Sequence, residues 1–202
     1  MPNLNALLVR GIRIARNAAI DIRYGELLGG KIETRYALLG AYNTENSDYA
    51  ALSYVFENRI KDSDVLVDIG CGKGRVINWW LSRGLRNRIV GIELDERIAN
   101  QTRQRLRQYK NVTIIAGDAV QNIPAEGTLF YLYNPFAEHV MEAFKRRLMS
   151  LFGKSGDITV LNSRCKHVDV FQKDLAWIVE IIDIGGSSSA PFDQLAVIKI
   201  RR

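Results

Sequence analysis

VLVDIGCGKGR, residues Val65 to Arg75, is the stretch from which the rest of the chain can be read. An apolar, β-branched run ends at Ile69. Three glycines follow at alternate positions, Gly70, Gly72 and Gly74, and a helix-forming run starts at Arg75. Glycines serve here because the backbone must turn sharply and approach a ligand closely. The helix start beyond them presents unpaired N–H groups. In an open parallel sheet the ligand crevice lies at the carboxyl ends of the strands, where strand order reverses. The loop is therefore placed for a nucleoside-type ligand. A dinucleotide fingerprint, G-x-G-x-x-G, would need a glycine at position 75, but Arg75 stands there and Gly74 is the third glycine. Asp68 sits two residues before Gly70. A carboxylate is awkward beside a pyrophosphate and suits a cationic amine or sulfonium. The pattern points to an adenosyl amino acid ahead of NAD.

Outward from this loop, apolar strands are expected at 64–69, 88–93, 112–116, 128–133, 157–162, 177–184 and 194–200. Helices are expected at 74–83, 95–110, 137–151 and 166–175. Strands rich in Val, Ile and Leu that alternate with helices imply an α/β fold, a mostly parallel sheet covered on both faces. Only GGSSSAPFD separates the last two strands, too short for a helical crossover, so they should form an antiparallel hairpin. Its Gly-Gly-Ser-Ser-Ser stretch, 185–189, is the one flexible-looking segment.

Two more acidic residues fall at strand ends. Glu93 closes the second strand in GIELD, where a carboxylate accepts hydrogen bonds from both ribose hydroxyls. Asp118 follows the third strand in AGDAV, where it is able to accept from an adenine amino group, with the Ala119 N–H facing the ring. Either alone reads as a loop carboxylate or helix cap. Three acids at successive strand ends beside one glycine loop read as a site. The expected binding set is Asp68, Gly70, Cys71, Gly72, Gly74, Glu93, Leu94, Asp118 and Ala119.

VLVDIGCGKGR resembles the first motif of the class I S-adenosylmethionine (SAM) dependent methyltransferases, GIELD their acidic ribose motif and GDAV their adenine motif. The resemblance covers roughly residues 45–201. It implies a Rossmann-like, doubly wound, seven-stranded sheet of order 3-2-1-4-5-7-6 with a reversed last strand. It also implies SAM as methyl donor and S-adenosylhomocysteine (SAH) as product. More narrowly, DIGxGKGR followed by YNPF is similar to small stand-alone bacterial methyltransferases, and the first motif to single-domain protein-lysine methyltransferases.

Asn134, Pro135 and Phe136 follow the fourth strand (TLFYLY-NPF). Amine and amide methyltransferases carry Asn/Asp-Pro-Pro-aromatic at this position. The resemblance implies that the Asn134 oxygen and the Pro135 carbonyl accept from a target nitrogen and that an aromatic ring packs against it. Orientation of that lone pair along the carbon–sulfur bond supplies much of the rate. The chain departs from the pattern: Phe136 takes the second-proline place and Ala137 the aromatic place. The alternative is that Asn-Pro only ends a strand as a turn. His139, on the next helix, either reaches the site or lies at the surface, and His167 lies near the following strand end. Tyr42 and Tyr49 either line a substrate mouth or pack as core aromatics.

The expected reaction is methyl transfer to a nitrogen of a protein side chain or small molecule. Rivals are oxygen methylation, which calls for a base, a non-catalytic SAM-binding regulator, and a dinucleotide oxidoreductase, which Gly74 argues against. The acceptor class (protein, small molecule or RNA) and the oligomeric state stay open.

The remaining composition fits one domain. The 202 residues, 47% hydrophobic, suffice for a single sizeable core, read as an extension over 1–46 and a methyltransferase domain over 47–202. A net charge of +6 favours acidic partners without naming one. Cys71 and Cys165 form no CxxC pair, so no structural zinc is expected, and a thiol inside the glycine loop suits a reducing cytoplasm. Neither a signal peptide nor a transmembrane run is expected. Residues 3–23 should form an amphipathic helix with a basic face that packs on the domain, caps the active site or touches an anionic surface. A second helix should run from Asp48 to about Arg59, with Ser47 as N-cap.

Overall fold

The computed structural model describes residues 4–154, 156–164, 166–183 and 194–201. In chain order the elements are α1 (Leu4–Arg23), α2 (Tyr49–Phe56), β1 (Val65–Ile69), α3 (Arg75–Ser82), β2 (Arg88–Glu93), α4 (Glu96–Leu106), β3 (Val112–Ala116), β4 (Leu129–Tyr133), α5 (Glu138–Phe152), β5 (Thr159–Ser163), α6 (Asp169–Gln172), β6 (Trp177–Asp183) and β7 (Gln194–Ile200). They build one seven-stranded sheet of order β3-β2-β1-β4-β5-β7-β6. β1 pairs in parallel with β2 and β4, and β7 runs antiparallel to both β5 and β6. The hairpin is the one expected from the short linker, and the strand order is the one that the resemblance implies. The 185–189 stretch and Cys165 lie outside the described residues.

Strand periodicity divides the core in two. Val67 and Ile69 face one layer, with Val90, Phe130, Leu132 and Phe144. Leu66 faces the other, with Ile89, Tyr131, Leu161 and Trp80. Alternate residues of each strand thus bury on opposite faces. The continuous Val/Ile/Leu runs follow from this two-sided burial. The strand order reverses between β1 and β4, which puts the ends of both, Gly70 and Asn134, at the switch point.

Three local expectations change. Asp48, not Ser47, caps α2: its side chain accepts from the Ala50 N–H. Ser47 is buried instead, its hydroxyl 3.0 Å from the Tyr131 hydroxyl. α6 holds only four residues of the helix expected over 166–175, and α4 stops at Leu106.

α1 is inverted relative to an ordinary surface helix. It packs on the domain through its C-terminal turns, with Ile20 against the core and polar groups beside it. Asn17 Nδ2 donates to Asp48 at 3.1 Å, and buried Asp21 pairs with Arg75 of α3. The helix then leads into residues 24–46, a strap with one 3-10 turn (Ala37–Leu39). The strap crosses the carboxyl ends of the strands. Ala41 bridges Phe136, and Ala137 N donates to Gly40 O at 2.7 Å. Gly40 has φ +80°, and a Cβ there would fall 2.7 Å from the His139 ring, so only glycine passes this crossing. Among the described residues no helix is long and apolar enough to cross a membrane.

Candidate active site

The glycine loop is held by its neighbours before any ligand is considered. Gly70 N and Cys71 N both donate to Ile92 O at 2.9 Å, which ties the end of β1 to β2. Thr102 of α4 donates to Gly72 O at 2.9 Å, and Arg105 donates to Lys73 O at 2.6 Å. Gly72 has φ +51° and would push a Cβ to 2.6 Å from the Thr44 methyl of the strap. The loop is thus clamped between α4 and the strap.

Glu93 is the electrostatic centre of this end of the sheet. Its carboxylate accepts from Gly72 N at 2.8 Å and from Asp95 N at 2.9 Å. Burial nonetheless raises its pKa. Asp68 is fully buried behind the loop, and its Oδ2 has no hydrogen-bond partner. Burial, with Glu93 nearby, pushes its carboxyl up to about 8. An unpaired buried carboxylate is costly. A cationic group brought to it would relieve that cost.

A cleft of about 430 Å³ opens between the strand ends and the strap. Gly70, Glu93, Leu94, Asp118 and Ala119 line one side, and Pro135, Phe136 and His139 another. Thr34, Tyr36, Leu39 and Tyr42 of the strap face them. Of the expected binding set, Asp68, Cys71, Gly72 and Gly74 are not in the lining. Cys71 turns away from the cleft and packs against Gly91. Gly74 caps α3 in a left-handed conformation. Asp118 is exposed and its Oδ1 accepts from Val120 N at 2.7 Å, an Asx-type turn at the edge of the cleft.

Asn134 stands apart from the larger cleft. It has φ +45°, an uncommon left-handed conformation for a non-glycine. It lines a smaller pocket of about 240 Å³, together with Tyr42, Tyr133, Lys31, Arg164 and Lys166. Its Oδ1 is buried without a partner. The two pockets share Tyr42, Asn43, Glu45 and Tyr133. Pro135 O accepts from Tyr42 N at 3.1 Å, so the carbonyl that the resemblance gives to a target nitrogen already holds one donor. The Phe136 ring packs on Phe144 at 5.8 Å and is mostly buried.

The sequence singled out Asn134 but not the residues around it. Tyr133 and Tyr42 supply the aromatic surface that Ala137 does not, with Arg164 5.0 Å from the Tyr133 ring centre and Lys166 5.0 Å from that of Tyr42. Tyr42 Oη lies 3.0 Å from His167 Nε2. Glu45 pairs with both Lys31 (3.2 Å) and Arg164 (3.1 Å). Tyr133 was detectable as the residue before Asn134. Arg164 and Lys166 carry no motif. Tyr49, by contrast, is a packing residue, buried against Asp21 and Asn78.

Comparison with known proteins agrees with the fold. Residues 66–156 match a family described as methyltransferase domain. The ribosomal RNA small subunit methyltransferase A of Thermotoga petrophila is 25% identical over 171 residues, covering 78% of this chain and 65% of that protein. The chain therefore spans less than two thirds of that relative. Among solved structures, an SAH-bound methyltransferase of Podospora anserina superposes with a TM-score of 0.58 at 16% identity, over 78% of this chain and 80% of that one. An RNA methyltransferase of Salinibacter ruber in complex with SAH gives 0.56 at 19% identity, over 78% and 95%. Over residues 66–156 the chain is thus similar to a methyltransferase domain, and its fold is that of these SAH-bound methyltransferases.

Proposed function

We propose that the protein transfers a methyl group from SAM to a nitrogen of a protein side chain or small molecule, and that Asn134 positions that nitrogen. The observation that carries this reading is the Asn134 Oδ1, a buried acceptor without a donor at the end of β4. It adjoins Pro135, whose Cβ would lie 3.1 Å from a Cβ placed on Gly70. Such an atom is costly unless a partner arrives. An amine N–H is a partner of the right kind.

The residues present fit SAM. Asp68 Oδ2 lacks a partner where a cationic amino group would be held, and Gly70 lines the cleft without a side chain. In the reading offered here, Glu93 accepts from the ribose hydroxyls, while Leu94, Asp118 and Ala119 flank the adenine. SAM supplies an electrophilic methyl on a sulfonium. Asn134 fixes the direction of the acceptor lone pair, and the Tyr42 and Tyr133 rings confine the acceptor. Orientation of this kind contributes a large share of a displacement rate. Lys31, Arg164 and Lys166 around the smaller pocket favour an acceptor that carries negative charge near its nitrogen. A cytoplasmic location suits a buried, reduced Cys71.

Oxygen methylation is the second reading, favoured by one observation. The Tyr42–His167 pair is a phenol–imidazole contact at the pocket mouth that is able to take up a proton. The test is label transfer from radioactive SAM into fractionated cell lysate, with mass-spectrometric identification of the methylated atom in the purified product separating nitrogen from oxygen. Asn134→Ala should keep SAH affinity and lose transfer. Unchanged turnover would make the Asn-Pro-Phe segment structural.

A further inference from the structure

The first turns of α1 present a surface that the transferase reading does not use. Every residue from Leu7 to Arg16 is exposed. Arg13, Asn17, Asp21 and Tyr24, spaced four, four and three apart, form the stripe turned toward the domain: Arg13 and Asn17 reach Asp48, while Asp21 and Tyr24 are buried. The adjoining stripe is apolar and runs through Leu7, Leu8, Ile14, Ala15, Ala18 and Ile22, the spacing of one helix face. Leu8 is 63% exposed, Ile14 56% and Ile22 62%. An amphipathic helix ordinarily buries this stripe against its own core; here it points to solvent.

Charge decides what covers it. Arg10, Arg16 and Arg23 stand on the helix outside the domain-facing contacts, and all three are exposed. The helix has one acidic residue, Asp21, and that one is buried against Arg75. A second copy of this helix would bring arginines against arginines. An anionic lipid surface would take the apolar stripe into its acyl boundary and the arginines among its headgroups. A strongly amphipathic, arginine-bearing helix of modest overall hydrophobicity is the kind that lies in the plane of a membrane interface. We infer that α1 docks the protein on anionic membrane surfaces, lying in the interface without crossing it.

The test is co-sedimentation of the full-length protein with phosphatidylcholine vesicles, with and without phosphatidylglycerol. Circular dichroism and SAH affinity serve as independent checks on the fold and on the donor site. Wild type should sediment with the anionic vesicles, far less with neutral ones, and be released by high salt. Leu8→Glu/Ile14→Glu and, separately, Arg10→Gln/Arg16→Gln should each weaken vesicle binding by roughly tenfold or more, with helix content and SAH affinity unchanged. Wild type that stays in the supernatant would overturn the inference, as would undiminished vesicle binding by Leu8→Glu/Ile14→Glu. A lipid-free dimer broken by the same pair would also overturn it and assign the stripe to a second copy. Failure of SAH binding alone would count against the donor site and leave the membrane result standing.

Discussion

Asp21 and Arg75 form a two-point ion pair, Nε to Oδ1 at 3.1 Å and a terminal guanidinium nitrogen to Oδ2 at 2.5 Å. The pair joins α1 to the first residue of the helix that follows the glycine loop. Tyr49 Oη and Leu28 N also donate to Asp21, at 2.8 and 3.2 Å, so this one carboxylate anchors α1, the strap and α2 together. Arg75, the residue that displaces the third glycine of a dinucleotide fingerprint, is thus a structural residue of this fold.

Asp21→Ala should therefore destabilise the protein by about 3–5 kcal/mol, because it strands a buried guanidinium. Asp21→Leu/Arg75→Met should recover most of that loss, since apolar replacements of a buried pair are often neutral. Denaturant unfolding of the single and double variants reads both. Additive losses would show that the pair is not coupled.

Asp68 should make stability and donor affinity depend on pH. Its folded pKa, about 8, lies above the unfolded value near 4. A raised acid favours the protonated native state, so its contribution is complete below about pH 4 and is lost as pH rises through about 8. Asp68→Asn should gain on wild type across that window and hold a constant difference above it. In the opposite sense, SAH affinity of wild type should climb toward pH 8, since the ligand ammonium needs the ionised carboxylate. Asp68→Asn should be weak and flat over the same range. Calorimetric titration at several pH values checks both slopes.

Glu93→Gln should weaken SAH binding by about 1.5–3 kcal/mol, the worth of hydrogen bonds to a charged acceptor. It also leaves Gly72 N and Asp95 N with a poorer partner, so its melting temperature should fall with the affinity. A full loss of melting temperature with intact affinity would assign Glu93 to the loop alone.

Gly72→Ala tests the clamp between loop and strap. A left-handed alanine costs about 1–2 kcal/mol, and its Cβ meets the Thr44 methyl. Thr44→Ser removes that methyl and should restore part of the lost SAH affinity while leaving the backbone cost in place. No recovery would mean that the strap does not press on the loop.

How much was legible follows from the range of the forces involved. The sheet was readable because Val, Ile and Leu runs record burial on both faces, and because a nine-residue linker between the last two strands excludes a crossover. Glu93, Asp118 and Asn134 were placed at strand ends by the sequence; Glu93 and Asp118 line the larger cleft and Asn134 the smaller pocket. The strap was not. Residues 24–46 have no period, and their order comes from distant partners such as Pro135 for Tyr42 and Leu28 for Lys73. The inversion of α1 was also hidden. Amphipathic spacing gives two faces but not which one turns inward, and that choice rests on Asp21 finding Arg75. Ser47 and Asp48 are both good caps by type; Tyr131 claimed the first, leaving the second for α2.

The most direct measurement of the central claim is calorimetric titration of SAH and of NAD into the full-length protein. Saturable binding of one SAH per chain, weakened by Glu93→Gln, and no heat from NAD are expected. Absence of SAH binding at millimolar ligand, or tighter binding of NAD, would contradict it.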